Sequence, residues 1–232
     1  MIYPRRCPLC GEIVKNKGCL ACKECYETAP FIKEPRCKCC GKAILKWEQE
    51  YCEDCTRKQH HFSYGFSLWS YNAQMKQSIA YFKYHHRREY GDFYGKEFAK
   101  RYGTHIKELE IDALIPVPIH WTRHIQRGYN QAQVIAQVIG KELNLPVVED
   151  LLIRNRKTVA QKQLGSRERA KNLESAFKIS QRWINKQETL KKILLVDDIY
   201  TTGSTLDACA KVLKQVDIAE VYFGVLCVGI GF

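Results

Sequence analysis

Residues 193–205 read Ile-Leu-Leu-Val-Asp-Asp-Ile-Tyr-Thr-Thr-Gly-Ser-Thr, a short aliphatic run followed by carboxylates and a hydroxyl-rich loop. The run predicts a buried strand, and the loop predicts the start of a helix. Carboxylates accept hydrogen bonds from vicinal sugar hydroxyls and from waters of a bound Mg²⁺, whereas a helix N-terminus favours a phosphate. The stretch therefore predicts a ribose 5-phosphate site at the carboxyl end of a strand. The candidate ligands are Asp197, Asp198, Thr201, Thr202, Gly203, Ser204 and Thr205.

An ordinary strand-to-helix turn is the simpler alternative for this stretch. A threonine N-cap would satisfy the first N–H groups of the helix, but it leaves the two adjacent carboxylates unexplained. A P-loop is excluded, because no Gly-Lys-Ser or Gly-Lys-Thr occurs at the required spacing. The phosphate-site interpretation is therefore favoured.

The first 60 residues contain a repeat of cysteine pairs. Each copy has the spacing C-x₂-C-x₁₁-C-x₂-C, and the second copy is displaced by thirty residues. Paired knuckles of this kind present four thiolates to a tetrahedral Zn²⁺, and Gly11 or Gly41 follows the second cysteine of each copy. Because the segment has few apolar residues, zinc is expected to hold it together. The predicted metal ligands are Cys7, Cys10, Cys22, Cys25, Cys37, Cys40, Cys52 and Cys55.

Two questions about these cysteines stay open at this point. A disulfide framework is the alternative to zinc, but the N-terminal residues lack the apolar core of a secretory signal. The ligands group either within each repeat, which gives two independent structural Zn²⁺ sites, or across the repeats. Cys19 and Cys39 are spare, and Cys19 forms an alternative knuckle with Cys22. His60 and His61 follow the last ligand and are expected at the surface.

Charge favours an anionic partner. The 232-residue chain has a formal charge of +12, which two zinc ions on eight thiolates would lower to about +8. Residues 151–192 hold twelve Lys or Arg against three Asp or Glu. Such a run either forms a solvated face or binds phosphates or nucleic acid. The longest apolar run, at 221–232, is too short to span a membrane.

Hydrophobic periodicity divides the chain near residue 62. Residues 1–62 form a small Cys-rich zinc-binding module, and residues 63–232 alternate predicted strands with helices, which favours a parallel α/β sheet. Strands are predicted at 62–71, 113–117, 147–153, 177–179, 193–196 and 221–228. Helices are predicted at 73–84, 91–102, 132–139 and 204–215, and loops at 118–130 and 155–172.

Several further motifs follow one another in a characteristic order. Arg127-Gly-Tyr-Asn-Gln-Ala132 follows Ile115-Pro-Val-Pro118, and Gln161-x₂-Leu164 leads into Glu168-Arg169-x₂-Asn172. Together with the Cys-rich head and the Asp-Asp loop, they resemble the ComF/GntX family, which has a type I phosphoribosyltransferase domain. The resemblance covers nearly the whole chain, and Tyr129 stands where Phe is commoner.

The resemblance implies that residues 197–205 bind phosphoribosyl pyrophosphate (PRPP) together with Mg²⁺. The loop at 118–130 would contact the pyrophosphate, with Arg123 and Arg127 as the candidate groups. The alternative for Arg127 is that it caps or solvates the following helix. Lys83 either steers an anion or is an exposed helical lysine.

The basic loop at 155–172 corresponds, by the same resemblance, to a mobile loop that closes over PRPP. Arg169 and Asn172 either reach phosphates on closure or stabilise the helix of the loop itself. Four aromatic residues near basic ones either stack on bases or belong to the core. These are Tyr81, Phe82, Tyr84 and Tyr129.

The family's competence branch implies a role in natural transformation, on the cytoplasmic side and at the inner face of the membrane through partners. The expected partners are single-stranded DNA and a ComFA-like helicase or ATPase. Two function classes stay open: a protein that binds PRPP and single-stranded DNA, which is favoured, and an active phosphoribosyltransferase with an unidentified nucleobase or amine acceptor. The cysteine-rich head occupies the place of a base-reading hood in chain order and contains no recognisable base-reading group.

Overall fold

The computed structural model describes residues 4–155, 176–184 and 190–229. The strands are β1 (Tyr64–Ser70), β2 (Ala113–Pro116), β3 (Leu152–Arg154), β4 (Phe177–Ile179), β5 (Lys192–Tyr200) and β6 (Glu220–Val228). The helices are α1 (Lys23–Glu27), α2 (Glu53–Arg57), α3 (Ala73–Tyr84), α4 (Tyr90–Glu108), α5 (Trp121–Arg127), α6 (Gln131–Leu143), α7 (Gln181–Ile184) and α8 (Ser204–Leu213). A 3₁₀ turn at Lys214–Val216 follows α8. None of the helices within these ranges is both long and apolar enough to cross a membrane.

Four strands form one parallel sheet in the order β1-β6-β5-β2. The central strands are apolar along most of their length, because helices cover both faces of a central parallel strand. Leu195 of β5 lies opposite Phe223 of β6 on one side and Ile115 of β2 on the other. The predicted parallel α/β architecture is confirmed, and it brings the carboxyl ends of β5 and β2 to the same edge of the sheet.

Alternate residues of β5 enter two separate hydrophobic cores. Leu194 and Val196 pack in the core that contains α4 and α6, whereas Ile193 and Leu195 pack in the core that contains α8. Successive side chains of a strand point to opposite faces. The same alternation therefore separates the next two side chains, which are the paired carboxylates.

The segment predicted as a loop after β2 contains α5. His120 begins this helix, because its Nδ1 accepts the backbone N–H of Thr122 at 3.3 Å. Gly128, with a φ of 78°, ends it in the left-handed conformation. The prediction was wrong because histidine is not among the residues that usually mark a helix start.

The strand predicted at 147–153 does not extend the main sheet. Val147 makes a single parallel bridge to Leu114, while β3 and β4 pair antiparallel in a separate two-stranded sheet. The helix predicted at 91–102 is longer than expected and runs as α4 from Tyr90 to Glu108. The predicted basic loop lies, beyond Asn155, outside the described residues.

The Cys-rich segment covers the edge of the sheet at β1. Phe31 forms an antiparallel bridge with Trp69, and the N–H of Ile32 donates to the carbonyl of Leu68 at 3.1 Å. An open strand edge is a template for pairing with another chain. The module therefore protects the sheet at the edge where it would otherwise be exposed.

Gly41 lies where the second cysteine repeat meets β1. A Cβ atom on Gly41 would lie 2.2 Å from the carbonyl oxygen of Gly65. Gly11 is the equivalent residue of the first repeat and has the same left-handed backbone, with a φ of 81° against 69°. The nearest atom to a Cβ on Gly11 is 3.9 Å away, however. A side chain at either glycine would strain the backbone, but only a side chain at Gly41 would also collide with another part of the chain.

We expect Gly41→Ala to lower the free energy of unfolding by about 3 kcal/mol or more, and Gly11→Ala by about 1 kcal/mol. Both substitutions place an L-residue in the left-handed region, but only Gly41→Ala drives a methyl group against backbone. Urea unfolding followed by circular dichroism measures the difference. An equal decrease in the free energy of unfolding of the two variants would show that the backbone between the second repeat and β1 moves to accommodate the methyl group.

Candidate functional site

The loop between β5 and α8 is a tight turn that only glycine can complete. Gly203 is buried, has a φ of 72° and is the N-cap residue of α8. A Cβ atom at this position would lie 2.4 Å from the hydroxyl oxygen of Tyr200, whose ring stacks on Phe223 with 5.3 Å between centroids. The ring is thus held in place against Gly203, and the turn requires glycine both for its left-handed backbone and for the lack of space for a side chain.

Hydroxyl groups surround this turn. Thr201 and Thr202 are exposed, while Ser204 and Thr205 are partly exposed. The hydroxyl oxygens of Thr202 and Ser204 lie 2.9 Å apart. The ten-residue helix α8 adds unpaired N–H groups and the positive end of its dipole. Chemically, the loop suits a phosphate group.

Asp198 is enclosed and paired inside the protein. Its Oδ2 lies 2.7 Å from the Nζ of Lys83 in α3, and the two side chains are 12% and 16% exposed. Lys83 is therefore neither an exposed lysine nor free to steer an anion; it is the internal partner of Asp198. Removing one member of such a pair leaves a buried charge without compensation.

Asp197 occupies the opposite face of β5, toward Arg154 of β3 and the buried thiol of Cys209 in α8. Its Oδ1 accepts the backbone N–H of Asp198 at 2.9 Å. Burial and the negative charge of Asp198 raise the pKa of Asp197 to about 7, although the charges of Lys83 and Arg154 act in the opposite direction. At neutral pH the protonated and the ionised forms of Asp197 are therefore both populated. The ionised form accepts hydrogen bonds from hydroxyl groups.

Arg127 is buried between two helices. Its Nη1 donates to Oε1 of Gln131 at 3.0 Å, and its Nη2 donates to the hydroxyl of Tyr84 at 3.2 Å. The guanidinium carbon also lies 5.1 Å from the centroid of the Tyr84 ring. These contacts favour the structural alternative for Arg127, and its contact with pyrophosphate stays a prediction.

Arg123 is close enough to Arg154 of β3 for the two guanidinium charges to interact. Burial and the charge of Arg123 lower the pKa of Arg154, and the charge of Arg154 acts in turn on Asp197. A cluster of positive charge therefore borders the α8 face of β5. Arg169 and Asn172 lie outside the described residues, so their contacts with phosphates stay predictions.

A groove of about 640 Å³ opens between α5 and the β3–β4 pair. Trp121 and Ile125 project into it from α5 and are 64% and 73% exposed. Arg154 and Arg182 line it from the other side, and Glu149 is also part of the lining. The sequence did not predict this groove, because its apolar wall belongs to the helix that was expected as a loop.

The four aromatic residues considered for base stacking have different environments. Phe82 and Tyr129 are buried in the core, and Tyr81 is partly buried. Tyr84 is 54% exposed, although its ring carries the guanidinium of Arg127. The core interpretation therefore holds for two of the four, and Trp121, close in sequence to Arg123, is more exposed than any of them.

The cysteines of each repeat converge within that repeat. In each set, the four sulfur atoms lie within 4.8 Å of one another, and this favours two independent sites over crossed ones. Cys40 and Cys52 are 3.6 Å apart at sulfur, and Cys10 and Cys22 are 4.0 Å apart, close to the separation of about 3.8 Å that tetrahedral Zn–S bonds impose. The thiolate sets therefore fit structural zinc.

The prediction that both histidines lie at the surface was wrong for His60. Its side chain is 2% exposed and stacks on Phe62 with 4.5 Å between ring centroids. His61 is 43% exposed at its side chain, and its backbone N–H donates to Oδ1 of Asp207 at 2.7 Å. The chain after the second repeat runs against the first turn of α8, and this contact buries His60.

Comparisons with known proteins agree with both halves of this description. Residues 1–56 match the double zinc ribbon domain, and residues 126–230 match the phosphoribosyl transferase domain. The double zinc ribbon match and the two four-cysteine clusters support structural zinc.

Two relatives align over most of the chain, and a third aligns over half of it. Competence protein F of Haemophilus influenzae is 29% identical over 90% of both chains. Competence protein ComFC of Streptococcus pneumoniae is 26% identical over 93% of this chain and 96% of its own. The DNA utilization protein YhgH of Escherichia coli K12 is 32% identical over 50% of this chain and 49% of its own.

Proposed function

Because this chain belongs to the ComF family and carries a phosphoribosyltransferase domain, we propose that it acts in competence by binding PRPP and single-stranded DNA. The names of the relatives, competence proteins and a DNA utilization protein, support the competence role. The ligand chemistry of the β5–α8 edge supports PRPP. The roles of residues 197–205 in holding the phosphate, the ribose and Mg²⁺ are part of this proposal.

One arrangement carries the PRPP proposal: a carboxylate at a strand end lies beside a glycine turn and a helix N-terminus. In the proposed complex, the 5-phosphate lies against residues 201–205, where N–H groups and hydroxyls converge. The ribose hydroxyls donate to Asp197, and Asp198 maintains the edge through Lys83. Mg²⁺ would be held by pyrophosphate oxygens and waters with help from carboxylate, the hard oxygen ligands it prefers.

Calorimetric titration of Mg·PRPP into zinc-loaded protein tests the proposal. Saturable binding with one site per chain is expected. Folded, zinc-loaded protein that releases no heat and shows no PRPP-dependent rise in melting temperature would refute it, since any ligand that binds only the folded state must stabilise it.

The single-stranded DNA proposal rests on charge and on the groove beside α5. Residues 151–192 carry a strong excess of Lys and Arg, and Arg154 and Arg182 of that segment line the groove. The exposed indole of Trp121 lies in the same groove. Glu149 and Asp150 also line the groove, so the charge excess of the whole segment would supply the phosphate contacts and Trp121 the base stacking.

We expect affinity for a single-stranded oligonucleotide to fall by at least about tenfold between 50 and 200 mM salt, because phosphate contacts release counterions.

Trp121→Ala should weaken binding of the oligonucleotide about tenfold through loss of stacking. Trp47→Ala is the matched control, since Trp47 is 75% exposed but belongs to the cysteine-rich segment. Charge reversal at Arg156, Lys157 and Lys162 tests the basic run. Fluorescence anisotropy measures all of these, and salt-insensitive binding or equal losses in both Trp variants would contradict the proposal.

Transfer of the phosphoribosyl group is the second candidate, and the groove favours it. The groove is large enough for a nucleobase and lies beside Arg154, whose charge acts on Asp197. Pyrophosphate release is measured with a panel of nucleobases and amines. Release that depends on one acceptor and is lost in Asp197→Asn would establish an enzyme, whereas PRPP binding without release would favour the binding role alone.

We also propose that the protein works at the cytoplasmic side of the membrane with a ComFA-like helicase or ATPase. The family resemblance supports this placement. Retention of a purified ComFA-like helicase on the immobilised, zinc-loaded chain is the expected result. A helicase that passes through unretained at physiological salt would contradict the partnership.

A further inference from the structure

Three metal-ligating side chains meet beside the second four-cysteine cluster. Cys39, Cys55 and His60 each offer one ligand atom, and these atoms lie within 4.8 Å of one another. Cys39 is spare in the repeat, His60 follows the repeat, and Cys55 already belongs to the four-cysteine set. A cluster of two sulfurs and one imidazole nitrogen is a frequent zinc ligand set.

The environment of His60 points to a ligand. The side chain is enclosed, and neither ring nitrogen has a hydrogen bond of ordinary geometry with the described residues. Buried polar atoms are nearly always satisfied, so an enclosed imidazole with an unused nitrogen needs an explanation. Its Nδ1 lies 3.4 Å from Oδ1 of Asp207, which leaves Nε2 for another partner.

We propose that Cys39, Cys55 and His60 hold a third Zn²⁺, and that the thiolate of Cys55 bridges it to the zinc of the second four-cysteine site. His60 would bind through Nε2 while Nδ1–H donates to Asp207. This is the arrangement in which a carboxylate orients a metal-bound imidazole. Three protein ligands leave the fourth position of a tetrahedral ion open to water or to a substrate atom.

Charge balance agrees with a second ion at this place. Four thiolates on one Zn²⁺ carry a net charge of about −2, and an ionised Cys39 beside them would add to it. A further Zn²⁺ brings the five-thiolate, two-zinc centre to about −1. The alternative is a Cys39 side chain that binds no metal.

The third ion would connect the zinc module to the proposed ligand loop. Asp207 lies in the first turn of α8, and its backbone N–H donates to the carbonyl of Gly203 at 2.8 Å. Asp207 also lies 3.4 Å from Nζ of Lys58. The metal, His60, Asp207 and the turn at Gly203 would then form one continuous line of contacts.

Zinc stoichiometry of the purified full chain, reconstituted and freed of loose metal by gel filtration, tests the proposal. Plasma mass spectrometry is expected to find about three zinc ions per wild-type chain and about two in Cys39→Ser and in His60→Gln. Cys19→Ser is the matched control, since Cys19 is the spare cysteine of the other repeat and belongs to neither four-cysteine set; it should retain about three.

Cobalt substitution gives a second readout that does not depend on activity. Loss of one tetrahedral, thiolate-bound Co²⁺ from the spectrum is expected in both variants, with the other two retained as evidence of folding. About two metal ions in wild type, with unchanged cobalt spectra in Cys39→Ser and His60→Gln, would overturn the proposal. Because this readout requires no PRPP, its failure is distinct from failure of the proposed function.

Discussion

Asp197→Asn is expected to weaken Mg·PRPP binding by about 100-fold or more. The carboxylate would accept hydrogen bonds from ribose hydroxyls, and a hydrogen bond to a charged group contributes about 1.5–3 kcal/mol. Asparagine keeps the shape of the side chain but lacks the charge and one acceptor oxygen. Isothermal titration calorimetry at pH 8, where wild-type Asp197 is ionised, measures the loss.

The same substitution supplies its own folding control. The pKa of Asp197 in the folded chain, about 7, lies above its ordinary value of 3.8. Ionisation therefore destabilises the folded state, and the loss of stability develops as pH rises from about 4 to about 7. Asp197→Asn should consequently be more stable than wild type at pH 8, by about 2 kcal/mol after allowance for solvent screening, and little different at pH 4.

Asp198→Asn should behave differently, because Asp198 is engaged by Lys83. We expect it to lower the free energy of unfolding by about 3 kcal/mol, since the enclosed ammonium group loses its partner. Asp217→Asn is the matched control for both. Asp217 lies beyond the other end of α8 with a φ of 59°, which asparagine tolerates. If the Asp197→Asn variant shows the expected gain in stability but binds Mg·PRPP as tightly as wild type, the assignment of Asp197 is refuted.

Cys37→Ser is expected to lower the free energy of unfolding by more than about 5 kcal/mol, and Cys10→Ser by much less. Structural zinc contributes about 10–16 kcal/mol to the folding of small modules. Loss of the zinc destabilises the rest of the protein only where the zinc ligands pack in its core. Three of the four ligands in the second cluster are buried, against one in the first. Cys37 packs in the same core as Phe62 and Phe223, whereas Cys10 is exposed.

Urea unfolding and zinc content measured on the same preparations test this difference. Each variant should lose the zinc of its own cluster. In Cys10→Ser the sheet should still unfold cooperatively near the wild-type midpoint, whereas in Cys37→Ser the midpoint should fall sharply. Equal destabilisation of the two variants would contradict the conclusion that the second zinc site belongs to the core of the α/β domain.

The strand, the turn and the cysteine repeats were predictable because each depends on residues close together in the chain. Periodicity alone identifies an aliphatic strand such as β5, and a glycine after hydroxyl residues marks a tight turn. Regular C-x₂-C spacing places four thiolates on two turns. The grouping within repeats needed the structure, because spacing is equally compatible with crossed sites.

Other features depend on residues far apart in the chain. The pairing of Lys83 with Asp198 requires α3 to pack beside the end of β5, and the enclosure of His60 requires the end of the zinc module to meet α8. The sequence around Arg127 does not distinguish a contact with pyrophosphate from hydrogen bonds to α3 and α6. Packing distinguishes these cases, since it determines which partner lies within hydrogen-bond distance.

Local sequence was therefore sufficient for the ligand chemistry: the carboxylates, the hydroxyl-rich turn and the eight thiolates all follow from short-range pattern. The folded chain alone shows that Asp197 and Asp198 have different environments, one with a raised pKa and one in an ion pair. It also places the spare Cys39 beside His60. The reason is physical: a residue's chemistry is set by its own atoms, but its protonation and its partners depend on neighbours brought from distant parts of the chain.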